Sequence, residues 1–254
     1  FLLLIITIGI YKFRDGFLYY LGFKTDKYAN ELSADERKLT DIRIYEVLHK
    51  HDNKAIGFDV SEYQSEIDWE QTYHIDEAFE LSFVFIRSTA GKDKIDSKFK
   101  ENWKAAKERQ LIRGAYHYYR PNENSIEQAE NFIKTVKLQK GDLPPVLDIE
   151  KLPKSQSIDS LKVGLRRWLN RVEKHYKVKP IIYSGESYYT DFLKEEFSEY
   201  PLWIANYNFW RNDLESDWQF WQFTEKAQIE GIKGMVDINI FNGDKNKLLL
   251  KCIR

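Results

Sequence analysis

The sequence predicts an α/β fold, a modified TIM-like β/α barrel with eight strands and a reduced set of outer helices, preceded by an N-terminal hydrophobic helix and a linker. Three observations predict it. Eight short runs rich in β-branched and aromatic residues recur after residue 54, helix-like stretches separate the first five, and the later connections are shorter. The runs cover residues 55–60, 83–87, 114–118, 146–149, 180–184, 202–205, 218–223 and 236–241. Helices are expected over 68–80, 97–110, 125–137 and 157–176; the last of these places Ile158, Leu161, Leu165, Trp168, Leu169, Val172 and Tyr176 on one face. Strands alternating with helices make a parallel sheet, and eight of them in about 200 residues close it into a barrel.

Ahead of the barrel, residues 1–24 begin with an uninterrupted apolar run over 1–10, followed by Lys12 and Arg14. A spanning helix needs about 20 apolar residues, so this segment is expected to be part of a membrane anchor or the core of a signal segment. Residues 25–53 turn polar and read as a linker with one short helix. Ser33 and Glu36 form a capping box, and Leu39, Ile42, Tyr45 and Leu48 follow at helical spacing. Residues 54–254 are the barrel. The expected placement is membrane-anchored, facing the periplasm or cell exterior, or otherwise secreted, and a monomer is expected.

Composition narrows the partners. Lys+Arg 39 against Asp+Glu 40 gives a formal charge of -1, which provides no global field for nucleic acid. The one cysteine, Cys252, excludes an intramolecular disulfide and a multi-cysteine metal site, and is expected to be inert. The five histidines show no metal-ligand spacing, so neither metal nor other cofactor is expected. Aromatic residues make up 15% of the chain, which fits either stacking on sugar faces or a Trp-rich core.

In such barrels the active site lies at the C-terminal ends of the strands. The stretch "PPVLDIE" ends the fourth strand with Asp148 and Glu150, which as residues i and i+2 share one face, roughly 6.5 to 7 Å apart along the chain. The first strand ends in "GFDVS", with Asp59, and the eighth carries Asp237 in "VDIN". Three strands thus bring carboxylates to one mouth. Aromatics fall beside them: Tyr63, Tyr118, Tyr119, Tyr183, Trp203, Tyr207 and Trp221, of which about half are expected in the cleft because strand side chains alternate in and out. His117 and Arg87 are read either as substrate contacts or as a hydrogen-bonded histidine and a buried ion pair.

The segments "GFDVSEYQSEIDW", "FVFIRSTAGKD", "ENWKAAKERQLIRGAYHYYRP", "PPVLDIE", "PIIYSGESYY", "PLWIANY", "WQFT" and "VDINIFNGD", in this order and spacing, resemble glycoside hydrolase family 25, the muramidase-type lysozymes. The resemblance covers residues 54 to 245. It implies cleavage of the β-1,4 bond between N-acetylmuramic acid and N-acetylglucosamine in peptidoglycan. It further implies Glu150 as general acid, Asp148 as the group that stabilises positive charge or orients the substrate acetamido group, and Asp59 and Asp237 as the rest of an acidic floor. Tyr118, Tyr183, Trp203 and Trp221 match positions that line the groove in relatives. Two departures stand out. Thr89-Ala90-Gly91 replaces a motif that often has glutamate before its glycine, and Ser65 stands where relatives commonly have glycine.

Glycoside cleavage needs a proton donor for the leaving oxygen and negative charge near an oxocarbenium-like transition state. Crowding Glu150 among Asp148, Asp59 and Asp237 is expected to make its ionisation harder. Substrate assistance by the acetamido group is the favoured course over carboxylate attack or inversion. Rival readings are metal-assisted hydrolysis at the carboxylates, a non-catalytic membrane-tethered glycan-binding protein, and a barrel glycosidase acting on another N-acetylated glycan.

Overall fold

The computed structural model describes residues 34–76 and 78–254. The predicted anchor and the Ser33 cap lie outside the described residues. Eight strands close a ring: β1 (Ile56–Val60), β3 (Phe79–Ala90), β5 (Ile112–Tyr118), β6 (Val146–Asp148), β7 (Ile181–Gly185), β8 (Leu202–Ala205), β9 (Phe220–Ala227) and β10 (Val236–Phe241). Each coincides with one of the eight predicted runs. Two short strands, β2 (His74–Ile75) and β4 (Lys94–Ile95), pair with the ends of β3 outside the ring.

The sheet is mixed. Neighbours are parallel from β1 through β9, but β10 lies antiparallel to both β9 and β1, and β1–β3 pairing closes the barrel. A parallel return needs a crossover of a dozen or more residues, whereas the short stretch 228–235 between β9 and β10 permits only a reversal.

Alternation along the strands sorts two cores. Phe83, Phe85, Val146, Ile181, Trp203, Phe220 and Phe241 fill the barrel interior. Phe58, Val84, Ile86, Leu147, Ile182, Ile204, Trp221 and Ile238 point outward into the layer beneath the helices. The interior is unusually aromatic: Phe85 stacks on Trp203 with centroids 4.2 Å apart and meets Phe220 edge-on at 5.1 Å. Rings of this size fit because the flanking strands carry glycine beside them. Gly57 pairs with Phe83 and Gly114 with Phe85 across the sheet.

The outer layer holds α2 (Phe99–Glu108), α3 (Ser125–Thr135) and α4 (Ile158–Tyr176). Asn124 and Ser157 cap the latter two by accepting hydrogen bonds from the first-turn amides. The buried face of α4 holds Leu161, Leu165, Trp168, Leu169 and Val172 of the predicted one, with Ile158 and Tyr176 at its two ends half-buried. Beyond β7 there is only a broken helical stretch over 186–197, and a short C-terminal helix, Lys245–Leu249, follows β10.

Two expectations are corrected. Residues 68–80 are not helical: Asp68 Oδ1 accepts from the Glu70 amide and Thr72 Oγ1 donates to the Trp69 carbonyl. These local bonds compete with a helix, and the chain then enters the β2–β3 hairpin. Nor does the segment before the barrel behave as a linker throughout. Helix α1 (Ala34–Lys50) packs on β9, burying Arg43, Ile44, Val47 and Leu48, while Leu39, Ile42 and Tyr45 of the predicted face stay exposed. It covers the flank of the barrel that the missing late helices leave bare. Among the described residues no helix is long and apolar enough to cross a membrane.

A methyl group added at Gly57 would lie 2.4 Å from the Phe83 carbonyl oxygen and 2.6 Å from its ring. Gly57→Ala is expected to cost about 1–3 kcal/mol by overpacking the interior; an unchanged urea midpoint would show that the barrel can relax around it.

Candidate active site

Every carboxylate singled out in the sequence reaches one cleft. Asp59, Asp148, Glu150 and Asp237 line a space of about 430 Å³ at the mouth of the barrel, together with Tyr63, Tyr118, Tyr183, Trp203 and Tyr207. Asp59 is the last residue but one of β1 and Asp148 ends β6, as expected for C-terminal strand ends. Asp237 arrives differently. It belongs to the start of β10, and only because β10 runs backwards does its N-terminal end face this mouth, directly opposite Asp59 in the ladder.

Asp148 and Glu150 are set by main-chain bonds on both sides. The Tyr119 amide donates to the Asp148 carbonyl at 2.8 Å and the Ile149 amide to the Tyr183 carbonyl at 3.0 Å. Ser184 Oγ donates to the Ile149 carbonyl at 2.7 Å, and Tyr188 Oη to that of Lys151 at 3.0 Å. Ile149 is therefore held outward in the core, and Asp148 and Glu150 are turned into the cleft. Asp148 is buried and Glu150 half-buried.

Asp59 sits at the centre of a directed hydrogen-bond network. Its Oδ2 accepts from Gln222 Nε2 and from Asn239 Nδ2, both at 2.8 Å. The amide orientations follow from their other partners. Tyr183 Oη donates to Gln222 Oε1 at 2.8 Å and Tyr207 Oη donates to the same oxygen, while Trp203 Nε1 donates to Asn239 Oδ1 at 2.8 Å. With their oxygens occupied, both amides present N–H to Asp59.

Burial nevertheless dominates. It pushes the Asp59 carboxyl up to about 7, against the lowering effect of Asn239, Gln222 and Asp237, with the Glu150 charge adding to the rise. Asp237 is raised well above the carboxylate range by burial and by the charges of Asp59, Glu225 and Glu150. The two carboxyls also hydrogen-bond one another. Two like charges so close cannot both be ionised in a dry site, so burial and mutual repulsion favour a shared proton on the pair.

The opposite rim is built on the turn after β1. Ser61 Oγ accepts from the Tyr63 amide and Gln64 Oε1 from the Ser61 amide. Ser65 closes the turn at φ 55, where glycine would be unstrained, so the serine noted in the sequence holds a disfavoured backbone. Arg87 lines the cleft and is an ion-pair hub: Nη2 lies 3.0 Å from Glu62 Oε1, Nε 2.8 Å from Asp96 Oδ2, and the guanidinium stacks 4.5 Å from the exposed Tyr63 ring. Ala90, from the Thr89-Ala90-Gly91 departure, lines the cleft with a small apolar side chain.

Three aromatic or imidazole groups fall elsewhere. Trp221 is a correction: it alternates with the inward Gln222 and so points out of the barrel, fully buried, its Nε1 donating to the Asn206 carbonyl at 2.9 Å. Tyr119 is buried in the same outer layer. His117 likewise faces outward, stacked on Trp168. Gln128 spends its Nε2 on the Arg120 and Glu123 carbonyls, so its Oε1 accepts from His117 Nε2, and His117 Nδ1 accepts from Thr89 Oγ1 at 2.8 Å. Burial lowers this imidazole to about 3, keeping it neutral.

Residues that the sequence reading did not single out complete the site. Gln222 and Asn239 hold Asp59, Tyr116 lies one strand repeat below Tyr118, and Glu62 and Glu225 add further carboxylates. Two-residue periodicity from Tyr118 and Asp237 points to Tyr116 and Asn239. Glu225 lies where β9 and β10 slip register, which no simple alternation reports. Among the described residues, no cluster of three or more His, Cys, Asp or Glu side chains is arranged to hold a metal ion.

A mixed eight-stranded barrel with paired carboxylates in an aromatic-lined mouth is the architecture of a sugar-cleaving hydrolase, and comparison with known proteins specifies which. The family model described as glycosyl hydrolases family 25 matches residues 58–232, and the chain belongs to that family of glycoside hydrolases. The uncharacterized protein YegX of Escherichia coli (strain K12) is 42% identical over 194 residues, 76% of this chain and 71% of that protein. Lysozyme M1 of Streptomyces globisporus is 32% identical over 208 residues, 76% of this chain and 69% of that one. The structure of a family 25 glycosyl hydrolase from Bacillus anthracis superposes with a TM-score of 0.70 at 28% identity, covering 79% of this chain and 94% of that one.

A carboxyl whose folded-state value is raised contributes its stability fully below its ordinary value near 4 and loses it as the pH rises through about 7. Asp237→Asn keeps a donor for Asp59 without the second charge. Its stability relative to the parent is expected to improve between pH 4 and 8 by more than about 1 kcal/mol, measured by calorimetry. A difference that does not change with pH would show that the pair is not coupled.

Proposed function

We propose that the enzyme is a peptidoglycan-cleaving muramidase acting on the bond between N-acetylmuramic acid and N-acetylglucosamine, with Glu150 as the proton donor. The observation that carries this is the juxtaposition, in one cleft, of the half-buried Glu150 with the buried Asp148 and the proton-sharing Asp59–Asp237 pair. Names of relatives agree: lysozyme M1 and the autolytic lysozyme of Clostridium acetobutylicum are both similar to this chain.

In this reading Glu150 protonates the leaving glycosidic oxygen from the solvent-facing side, and Asp148, fixed at the end of β6, orients the 2-acetamido group for attack on the anomeric carbon. Asp59 and Asp237 supply one delocalised negative charge beneath the forming oxocarbenium ion. Tyr118, Tyr183 and Tyr207 line the sugar path, and Trp203, almost wholly buried, supports the floor from below.

The test is mass spectrometry and NMR of fragments released from purified peptidoglycan by the whole chain and by Glu150→Gln. New reducing ends on muramic acid, formed with retention and reduced at least a hundredfold in the variant, are expected. Inverted product would rule out acetamido assistance; binding without cleavage by both proteins would favour a glycan-binding role.

The apolar run over residues 1–10 further supports a membrane-tethered enzyme facing the peptidoglycan, outside the cytoplasm. Fractionation with the membrane, released only by detergent, is the expected outcome; recovery in the cytoplasmic fraction would refute it.

A further inference from the structure

Helix α1 lies outside residues 58–232, the stretch matched by the family model, yet it sends its most polar side chain into the protein. Arg43 is 8% exposed. Its guanidinium donates to four main-chain carbonyls: from Nη1 to Phe223 at 2.7 Å, from Nη2 to Asn208 at 2.9 Å and Arg211 at 3.4 Å, and from Nε to Phe209 at 3.3 Å. Three of these belong to the loop after β8, and the fourth adjoins Gln222 on β9. The end of α1 grips the same loop again, with His51 Nε2 on the Asn212 carbonyl at 3.1 Å and Lys50 Nζ on Asp213 at 2.8 Å.

That loop needs such support. Phe209 and Trp210 are exposed, the latter 85%, so they give the loop little apolar anchorage of its own. It nevertheless begins with Tyr207, whose hydroxyl holds Gln222 Oε1 and so turns the Gln222 N–H toward Asp59. Arg43 binds the loop and the β9 backbone with one rigid group, and together with the Asn206 amide on the Gln222 carbonyl at 3.0 Å and Trp221 Nε1 on the Asn206 carbonyl at 2.9 Å it holds Tyr207 against Gln222.

We propose that α1 is a working part of the active site, with Arg43 as a positioning residue that acts through Tyr207 and Gln222 to fix the hydrogen bonding of Asp59. The inference rests on the muramidase reading for its kinetic consequence, but its structural consequence is independent of it. Asp59 is faced by Gln222 on β9, Asp237 and Asn239 on β10, Glu150 beyond β6 and Tyr116 on β5. Of these, Gln222 is the partner that Arg43 reaches, through Tyr207, which shares the Gln222 Oε1 with Tyr183. Without the Gln222 donor, the carboxylate form of Asp59 loses a stabilising bond and titrates at higher pH.

The experiment compares the whole chain with Arg43→Ala, Arg43→Lys and Val47→Ala. Val47 is buried on the same face of α1 and serves as the control for lost packing. Three readouts are taken: the carboxyl titration of Asp59 by 13C NMR, amide hydrogen exchange over residues 206–213, and kcat and KM on soluble peptidoglycan oligosaccharides. In Arg43→Ala the Asp59 titration moves upward, exchange over 206–213 rises at least tenfold, and kcat falls at least tenfold with KM changed less. Arg43→Lys recovers part of each, and Val47→Ala lowers the melting temperature while leaving all three within about twofold. If Arg43→Ala matches Val47→Ala in titration and exchange, the clamp is refuted. If the parent cuts nothing, the muramidase reading fails, and titration and exchange still decide the clamp.

Discussion

The reversed insertion of β10 between β9 and β1 is the constraint on which site and fold both depend. It closes the barrel, and it sets Asp237 against Asp59 in the ladder. Burying two carboxyls this close would cost several kcal/mol if both stayed charged. The structure meets that cost by sharing a proton between them and by aiming two amide donors at Asp59, each amide locked by an aromatic donor on its oxygen. The pair thus carries less charge than its two carboxyls would in water, and its hydrogen bonds have fixed directions.

The aromatic interior serves the same end. Phe83, Phe85, Phe220 and Trp203 fill the barrel below the mouth, leaving a dry floor on which Asp59 and Asp148 are poorly solvated. Trp203 belongs to both layers, packed on Phe85 by its face and bonded to Asn239 by its Nε1. Packing and electrostatics are therefore not separable here. The ring that fills the interior also determines which way the asparagine amide points.

Outside the barrel, the late strands lack the helices that cover the early ones, and α1 occupies the bare flank. Trp221, His51, Ile44, Val47 and Leu48 meet there, with His51 edge-on to Trp221 at 6.3 Å. A helix that precedes the barrel in the chain thereby becomes part of the barrel's outer layer. Residues from 34 onward therefore pack as part of the barrel's outer layer.

The eight strands, helices α2 to α4, the amphipathic face of α4 and the convergence of Asp59, Asp148, Glu150 and Asp237 were legible in the sequence, because period-two and period-3.6 patterns and strand-end carboxylates are local signals. Tyr63, Tyr118, Tyr183, Trp203 and Tyr207 were legible as aromatic neighbours of those ends. Only tertiary structure decided that β10 runs backwards: the predicted strand ended at 223, and it is the extension of β9 to Ala227 that shortens the connection to 228–235, too short for a parallel return. Only tertiary structure also turned Trp221 outward, by committing its neighbour Gln222 to Asp59, and made a polar stretch containing Arg43 part of the core. An arginine reads as surface in a sequence; here it is buried because four carbonyls from a distant loop and strand satisfy it, and no local pattern reports partners some 165 to 180 residues away.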